Sequence, residues 1–315
     1  MRFLVFGAGA LGQALGCMLA VAGHHVDLVL RPRFIDVIKK EGLQVSGIFG
    51  DYAAPPAMLG LLEDVSCAGG RYDFVLITTK AYDTGRAIAA IASLPGCGCP
   101  VVSMQNGCGN VEQVLERFGL ERSLGARVIT GFEIAAPGHI RITVSADAVH
   151  LGGAVGGTIP KAAEVLAGAI DRAGLPCLAV ADIHQDLYAK LLYNCALNPW
   201  GAILGVHYGA LAENDETKSI MDKVIDETFA VIQGIGGKTP WPDANRYKDL
   251  FYHRLLPVTS GHRPSMLQDL ENNKPTEVEA LLGYVSNKGR AAAVPTPTCD
   301  LLAGLVRFKE SLARS

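Results

Sequence analysis

Gly7-Ala8-Gly9-Ala10-Leu11-Gly12 follows a short apolar run, Arg2 to Phe6, and opens a longer apolar stretch that reaches Gly23. The run predicts a strand and the stretch a helix, and a glycine-rich turn in this setting is typical of dinucleotide-binding folds. Gly7 would permit the tight bend, Gly9 the approach of a pyrophosphate to the backbone, and Gly12 close packing of helix on strand. The first amides and the dipole of the helix favour phosphate there. The six residues therefore predict a cofactor site; an ordinary glycine-rich turn without a ligand is the alternative.

Short apolar runs alternate with helical patterns through the first half of the chain. Continuous apolar strands separated by helices predict a parallel sheet that is covered on both faces. Hairpin strands joined by glycine-rich turns, one of them at Pro137-Gly138, are expected next, and then a last helix and strand. The predicted strands are 25–30, 74–78, 100–104, 123–134, 140–144, 149–152 and 177–180, and the predicted helices are 34–41, 84–94, 111–118 and 160–173.

The pattern becomes helical throughout after about Asp182. Ile220, Val224, Ile225 and Ile232 recur at helical spacing, as do later apolar residues. We therefore expect two domains: residues 1–181 as a Rossmann-like, dinucleotide-binding α/β domain, and residues 182–315 as an all-α domain.

Composition narrows the function classes. The 315 residues are 49% hydrophobic and 19% charged, with a net charge of −3, which predicts a folded protein without a nucleic-acid partner. No membrane-spanning segment is expected. The eight cysteines are scattered; the Cys97-Gly98-Cys99 group with Cys108 lacks a second CxxC or a histidine at zinc spacing, so no metal site is expected. Free thiols in a reducing cytoplasm are the simpler interpretation.

The end of the second strand bears on the choice of cofactor. NAD-binding folds place an Asp or Glu there to bind the ribose 2′-hydroxyl. Here the chain reads Val29-Leu30-Arg31-Pro32-Arg33, and Asp27 lies too early, inside the strand. Guanidinium groups suit a 2′-phosphate, so the sequence predicts NADP(H), with Arg31 as the first candidate. Two solvated surface arginines are the alternative.

Two further strand ends are polar. Thr78-Thr79-Lys80-Ala81-Tyr82-Asp83 follows one predicted strand and Gln105-Asn106-Gly107 follows the next. Ligands of open parallel sheets bind beyond the carboxyl ends of the strands. Lys80 and Asn106 are therefore candidates to contact the nicotinamide ribose or a substrate. A plain loop and a plain Asn-Gly turn are the alternatives.

The all-α domain begins with a helix that carries a polar face. Lys190, Asn194 and Asn198 are four residues apart, and their neighbours along the helix are apolar. Buried polar groups are costly unless they bond a ligand or each other, which favours a binding role over a solvated stripe. Pro199 is expected to end or kink this helix.

Two candidates come from farther along the chain. Ser265 is expected at a helix start together with Asp269, and Glu277 in the first turn of the last long helix. From position alone, Glu277 needs no role beyond complementing the helix dipole.

Together these motifs resemble the ketopantoate reductase (2-dehydropantoate 2-reductase) family over essentially the whole chain. The resemblance rests on GAGALG, TTKAYDT, QNG, KLLYNCALNP, PSMLQD and PTEVEALLGY, which occur in that order. It implies a Rossmann-like NADP domain and a 6-phosphogluconate-dehydrogenase-like all-α domain, with the active site in the cleft between them. The implied activity is reduction of 2-dehydropantoate to (R)-pantoate by NADPH in pantothenate and coenzyme A synthesis.

The resemblance also implies a role for each candidate. Lys190 would donate a proton to the keto oxygen, and Glu277 would support its charge and hold the substrate hydroxyl. The remaining roles are cofactor binding by Gly7, Ala8, Gly9, Ala10, Leu11, Gly12, Arg31, Lys80 and Asn106, and substrate binding by Asn106, Asn194, Asn198 and Ser265.

Two regions depart from the pattern of the family. Gly237 to His262 is predicted to be a long loop rich in aromatic residues, and Gly47 to Gly70 is irregular. Because such segments can reshape the substrate side, reduction of another branched 2-keto acid stays open. A role as a non-catalytic regulator that binds NADP(H) also stays open. The expected partner is a small 2-keto acid, and a homodimer is left open.

Overall fold

The computed structural model describes residues 1–314. The chain folds into two compact units. The first comprises Met1–Asn106 and Asn110–Ile183, and the second comprises Gly107–Gly109 and His184–Ser315.

The first unit contains twelve strands and five helices among the described residues. The strands are β1 (Arg2–Phe6), β2 (His25–Val29), β3 (Leu43–Gly47), β4 (Tyr52–Ala54), β5 (Leu59–Leu62), β6 (Phe74–Ile77), β7 (Val101–Ser103), β8 (Ser123–Arg127), β9 (Thr130–Ala136), β10 (His139–Ser145), β11 (Val149–Gly153) and β12 (Cys177–Ala179). The helices are α1 (Ala10–Val21), α2 (Pro32–Glu41), α3 (Thr84–Ala92), α4 (Asn110–Phe118) and α5 (Lys161–Arg172).

The main sheet has eight strands in the order β12-β11-β8-β7-β6-β1-β2-β5. From β8 to β5 all neighbours are parallel, and β11 runs antiparallel to β8. Strands β1, β6 and β7 are buried over nearly their whole length, as continuous apolar runs require of a doubly covered sheet. Strand β2 pairs with one side of β1, and β6, which comes later in the chain, pairs with the other side. The crevice where ligands bind in such sheets therefore lies beyond the carboxyl ends of β1 and β6.

A second sheet of four strands, in the order β4-β3-β10-β9, corrects two sequence predictions. The predicted strand 123–134 is two strands: β8 belongs to the main sheet, and β9 pairs with β10 in the small sheet. The irregular segment Gly47 to Gly70 contains β4 and β5, of which β5 forms one edge of the main sheet. The turn at Pro137-Gly138 joins β9 to β10, as predicted.

The second unit is all-α, as the sequence predicts. Its helices are α6 (Ile183–Leu204), α7 (Tyr208–Ala212), α8 (Asp215–Gly234), α9 (Ala244–Leu250), α10 (Leu256–Val258), α11 (Ser265–Glu271), α12 (Leu282–Ala291) and α13 (Pro297–Arg314). None of the helices within residues 1–314 is long and apolar enough to cross a bilayer.

Pro199 does not end its helix, because α6 continues for five residues to Leu204. A proline inside a helix removes one backbone hydrogen bond and costs about 3 kcal/mol or more. Cys195, Ala196, Leu197 and Ala202 are fully buried. Burial of this apolar surface offsets the cost and keeps the helix intact beyond the proline.

The aromatic segment is helical and forms part of the core, so the prediction of a loop over Gly237 to His262 is wrong. It contains α9, a π-helical turn at Phe251–Leu255, and α10. Tyr247 and Phe251 are fully buried, and Trp241 packs on Tyr247 with 4.6 Å between ring centroids. The aromatic side chains therefore fill the interior of the helical unit.

Glu277 also lies in a different setting from the predicted one. It precedes a 3₁₀ turn, Val278–Ala280, and α12 begins only at Leu282. Leu281, with φ −108° and ψ −101°, lies outside the helical region and separates the two elements. The last long helix is α13, which starts twenty residues after Glu277.

Candidate functional site

The glycine turn has the geometry that its sequence predicts. Gly7 follows β1 with φ +93°, in the left-handed region that favours glycine. A Cβ on Gly7 would lie 2.2 Å from Thr79 Cγ2 and 2.8 Å from the Thr79 backbone nitrogen. The amides of Gly7 and Ala8 donate to the Val29 carbonyl at 3.3 and 3.1 Å, so the end of β2 holds the turn in place.

The other glycines separate into two kinds. Gly12 and Gly16 lie against the sheet, since their Cβ atoms would come within 2.5 Å of Thr78 Oγ1 and 2.6 Å of Leu28 Cδ2, respectively. Gly9 differs, because its Cβ would have only the Gly7 carbonyl within 4 Å, at 3.9 Å. Protein packing thus explains Gly12 and Gly16, but nothing in the protein excludes a side chain at Gly9. Space kept open at the first turn of α1 fits a pyrophosphate bound against the backbone.

Asp27, the acidic residue of β2, is hydrogen-bonded to other residues of the protein. One Asp27 carboxylate oxygen accepts from Arg2 Nη2 at 2.8 Å and from the Tyr72 hydroxyl at 2.7 Å. Arg31, at the N-cap of α2, and Arg33 are exposed beyond the strand. The Arg33 guanidinium lies over the Phe34 ring at 4.8 Å. Guanidinium groups therefore stand where an NAD-binding fold would present a carboxylate.

A polar network joins the strand ends at this edge of the sheet. Gln105, which is 6% exposed, donates from Nε2 to Thr79 Oγ1 at 3.1 Å, to the Lys80 carbonyl at 3.3 Å and to Thr84 Oγ1 at 2.8 Å. Thr78 donates from Oγ1 to the Gly7 carbonyl at 3.0 Å. These bonds fix the segment after β6 against both the glycine turn and the segment after β7.

Lys80 and Asn106 lie at the two strand ends where the sequence placed them, and both are half-buried. Lys80 is the N-cap of a 3₁₀ turn, Ala81–Asp83, that leads into α3. The Asn106 carbonyl accepts from Asn110 Nδ2 at 2.9 Å. Gln105 had not been assigned a role from the sequence, although its place directly after a buried strand was a signal for one.

The polar face on α6 is present in the structure. Lys190 and Asn194 are half-buried, and Asn198 is 6% exposed. The residues between them, Leu191, Leu192, Cys195, Ala196 and Leu197, are almost completely buried. Three polar side chains at four-residue intervals therefore share one face of the helix, next to residues that are packed in the core.

Asn198 and Ser265 are brought together, 67 residues apart in the chain. Asn198 Nδ2 donates to Ser265 Oγ at 3.0 Å, and its Oδ1 accepts from the Met266 amide at 3.0 Å. Ser265 is the first residue of α11, so the Asn198 amide serves that helix as a cap from outside. Asn198 therefore orients the Ser265 hydroxyl as well as being a candidate in its own right.

Glu277 is 7% exposed, and the residue before it is anchored by α13. Glu310 Oε1 accepts from the Thr276 amide at 2.7 Å and from the Thr276 hydroxyl at 2.5 Å. Thr276 Oγ1 in turn accepts from the Val278 amide at 3.2 Å. These bonds fix the backbone on both sides of Glu277. The sequence carried no signal for Glu310, because only the fold brings it to Thr276.

Among the described residues, no group of three or more His, Cys, Asp or Glu side chains could hold a metal ion.

Two family models match the chain. "Ketopantoate reductase PanE/ApbA" matches residues 3–156, and "Ketopantoate reductase PanE/ApbA C terminal" matches residues 182–310. A curated relative, 2-dehydropantoate 2-reductase of Aquifex aeolicus (strain VF5), is 38% identical over 310 residues, which are 98% of this chain and 97% of the relative.

Solved structures are similar over the full length as well. A PanE/ApbA family ketopantoate reductase from Ralstonia eutropha JMP134 matches with a TM-score of 0.87 at 29% identity, covering 100% of both chains. D-mandelate dehydrogenase in a ternary complex with NADH and anilino(oxo)acetate matches with a TM-score of 0.86 at 26% identity, again covering 100% of both chains.

Proposed function

The chain belongs to the ketopantoate reductase family, and we propose that it reduces 2-dehydropantoate to (R)-pantoate with NADPH, with Lys190 as the proton donor. The product is an intermediate of pantothenate and coenzyme A synthesis. The observation that carries the proposal is the polar face of α6. Lys190, Asn194 and Asn198 share one face of α6 beside the buried Leu191, Leu192, Cys195, Ala196 and Leu197, and convergent polar groups next to an apolar core are typical of small-molecule sites.

The residues of the first unit fit NADP(H). The pyrophosphate would lie against the first turn of α1, formed by Gly9, Ala10 and Leu11, where no side-chain atom lies within 4 Å of the Cβ position of Gly9. Ala8 and Gly7 hold the turn through the Val29 carbonyl. Arg31 would bind the 2′-phosphate by charge-assisted hydrogen bonds. Lys80 and Asn106 would orient the nicotinamide ribose, on the frame that Gln105 builds.

The chemistry divides between the cofactor and the protein. When bound, NADPH would supply the hydride for the keto carbon. Lys190 Nζ would donate a proton to the keto oxygen as negative charge develops there, a general-acid step typically worth about 10²–10⁴-fold in rate. For this the amine must be protonated, and supporting that charge is the role proposed for the Glu277 carboxylate.

The substrate would be held by the hydrogen-bonding groups of the helical unit. Asn194 and Asn198 present amides, and Ser265 presents a hydroxyl whose direction is set by Asn198 Nδ2. Glu277, on a backbone fixed through Thr276, would accept from the substrate hydroxyl. Asn106 would contact both cofactor and substrate. A site built from such donors and acceptors discriminates against analogues that lack a partner group.

The test compares Lys190→Ala with Lys223→Ala, which removes an exposed lysine from α8. NADPH oxidation is followed with 2-dehydropantoate, and NADPH affinity is measured separately. We expect Lys190→Ala to lose about 10²–10⁴-fold in kcat with NADPH affinity retained, and Lys223→Ala to behave as the parent protein. Turnover by Lys190→Ala at the parent rate would refute the proton-donor role, and no turnover by the parent protein would refute the substrate.

A second candidate is reduction of a different 2-keto acid. It is favoured by the likeness to D-mandelate dehydrogenase, whose complex contains anilino(oxo)acetate. A panel of aliphatic and aromatic 2-keto acids with NADPH and with NADH separates the two candidates. A higher kcat/KM for another acid would displace 2-dehydropantoate.

The cysteines bear on the compartment, and one helix surface bears on the oligomeric state. None of the eight cysteines forms a disulfide, which supports a reducing compartment such as the cytoplasm. A homodimer is supported by the surface of α13, where large apolar side chains at intervals of four, three and four residues are exposed. These are Leu301, Leu305, Phe308 and Leu312.

That spacing is typical of helices that pair along one face, and a second copy of α13 would supply a matching stripe. Sedimentation equilibrium tests the pairing. Phe308→Glu should give monomers, whereas Ser311→Glu, a charge added next to the stripe, should have a much smaller effect. A monomeric parent protein at micromolar concentration would refute the dimer.

A further inference from the structure

Two cysteines lie side by side in the loop between α3 and β7. Cys97 and Cys99 are separated by Gly98, and their Sγ atoms are 3.9 Å apart. Both residues are half-buried against the core of the first unit. Cys17, Cys108, Cys177, Cys195 and Cys299 are buried, and Cys67 is exposed by itself. Cys97 and Cys99 are therefore two adjacent thiols, both on residues that are partly exposed.

Arg122 organises this dithiol. Its Nη2 donates to the Cys97 carbonyl at 2.6 Å and lies 3.9 Å from Cys97 Sγ, and its Nε donates to the Cys99 carbonyl at 3.1 Å. The hydrogen bond from Cys99 and, after it, the positive charge of Arg122 lower the pKa of the Cys97 thiol to about 6, against the opposing effect of burial. The same hydrogen bond and burial raise the pKa of Cys99. Of the two, Cys97 is therefore the one favoured as a thiolate and Cys99 the one favoured as a thiol.

The loop has room to bring the sulfur atoms together. A disulfide requires an S–S distance of about 2.05 Å, so the two atoms must approach by roughly 1.9 Å. Gly96 has φ +68°, and neither Gly96 nor Gly98 has a neighbouring atom where a Cβ would stand. Glycines in open space allow the backbone to adjust at low cost.

We propose that Cys97 and Cys99 are a redox-reactive site. The two cysteines form a disulfide with each other when they react with a low-molecular-weight disulfide. The Cys97 thiolate attacks one sulfur of an external disulfide RSSR, forming a mixed disulfide and releasing RS⁻, which takes a proton from water. Cys99 then loses its proton to solvent and attacks Cys97 Sγ, releasing a second RS⁻, which is protonated in turn. The two cysteine sulfurs are oxidised, and RSSR is reduced to two RSH.

The site is remote from the cofactor turn. The loop precedes β7, whereas the glycine turn follows β1, and β1, β6 and β7 are parallel. The loop therefore lies at the amino ends of these parallel strands, and the glycine turn lies at their carboxyl ends. Substitutions at Cys97 or Cys99 are expected to leave NADPH binding unchanged, which serves as the check that the variants are folded.

The first test treats the reduced protein with oxidised glutathione and locates the products by fragment mass spectrometry. The parent protein should lose two hydrogen atoms in mass at Cys97–Cys99. Cys99→Ser should stop as a glutathione adduct on Cys97, because the second attack is removed. Cys97→Ser should leave Cys99 reduced. A stable glutathione adduct in the parent protein, or an adduct at Cys99 in Cys97→Ser, would overturn the assignment.

The second test needs no cysteine substitution. Alkylation by iodoacetamide at pH 5.5 compares Cys97 with the exposed Cys67 in the same sample. Because the pKa of Cys97 is lowered to about 6, its thiolate fraction at this pH is raised, and even after the lower reactivity of a weaker base we expect Cys97 to be alkylated about tenfold faster than Cys67. Equal rates would overturn the proposal.

The role of Arg122 is tested by the same assay. Arg122→Gln should reduce the advantage of Cys97 severalfold, and Arg122→Lys should restore part of it, since the positive charge is kept. Arg117→Gln, which removes an exposed arginine from α4, is the matched control and should have no effect. An unchanged alkylation rate in Arg122→Gln would remove Arg122 from the site.

Discussion

Alanine at Gly9 should weaken cofactor binding without weakening the fold. Its Cβ would have only the Gly7 carbonyl within 4 Å, at 3.9 Å, and the backbone angles, φ −77° and ψ −154°, are extended. We therefore expect the free energy of unfolding to change by no more than about 0.5 kcal/mol. The added methyl group would occupy the space assigned to the pyrophosphate. The expected loss of NADPH affinity is at least about tenfold, or 1.4 kcal/mol.

Gly7→Ala should show the opposite pattern and is the matched comparison. Its positive φ costs an L-residue about 1–2 kcal/mol. The contact with Thr79 at 2.2 Å adds about 1–3 kcal/mol of overpacking. The fold should therefore lose about 2–5 kcal/mol of stability before any cofactor is added.

Two assays distinguish these variants. Urea unfolding of the cofactor-free protein measures stability, and quenching or transfer of fluorescence on titration with NADPH measures affinity. Parent-like NADPH affinity in Gly9→Ala would refute the placement of the pyrophosphate. A loss of stability in Gly9→Ala as large as that in Gly7→Ala would refute the distinction between the two glycines.

Substitutions at Arg31, Asn198 and Tyr247 test three other features of the structure. Arg31→Ala should weaken NADPH binding by about 1–3 kcal/mol in fluorescence titrations and NADH binding much less, because a charged hydrogen bond to the 2′-phosphate is lost. Asn198→Ala should cost about 1–3 kcal/mol in urea unfolding and raise KM, because it leaves the buried Met266 amide without its acceptor and Ser265 without its donor. Burial raises the pKa of Tyr247 well above its ordinary value, so its titration leaves the free energy of unfolding unchanged below about pH 10 and lowers that free energy as the pH rises further, because only the unfolded chain loses the proton. Tyr247→Phe should reduce the fall in unfolding free energy above pH 10 by about 1.4 kcal/mol per pH unit.

Each of these three predictions has a control variant or an outcome that would contradict it. Equal losses for NADPH and NADH in Arg31→Ala would refute the 2′-phosphate role, and Arg33→Ala shows whether the second guanidinium shares it. Asn198→Asp keeps an acceptor for Met266 and should recover most of the stability but not the KM. An unchanged alkaline slope in Tyr247→Phe would mean that the hydroxyl does not titrate on unfolding; the hydroxyl has no hydrogen-bond partner, so its removal should not itself destabilise.

The main sheet could be predicted because its signal is local. Each of β1, β6 and β7 is an apolar run next to a helix, and the glycine turn marks where the first pair meets. The small sheet could not be predicted, because its strands are short and their partners are distant: Ser46 of β3 lies beside His139 of β10. Long-range pairing of this kind leaves no periodicity in either segment.

In the candidate site, too, the features that depend on the local chain could be predicted, and those that depend on packing could not. Four-residue spacing placed Lys190, Asn194 and Asn198 on one helix face, because helix geometry is fixed by the local chain. The bond between Asn198 and Ser265 and the anchoring of Thr276 by Glu310 depend on how helices pack. Tyr247 and Phe251 are four residues apart, a spacing typical of the helix found there, whereas a loop is predicted for this segment from the sequence.

The double hydrogen bond of Asn198 has an evolutionary consequence. Because one amide holds both the Ser265 hydroxyl and the Met266 amide, a change at position 198 alters the start of α11 even when residues 265 and 266 are unchanged. A lineage that shifts its preference between 2-keto acids would therefore find single substitutions at this position unfavourable. We therefore expect that, in diverged members of the family, residues 198 and 265 change together, because the two positions depend on each other.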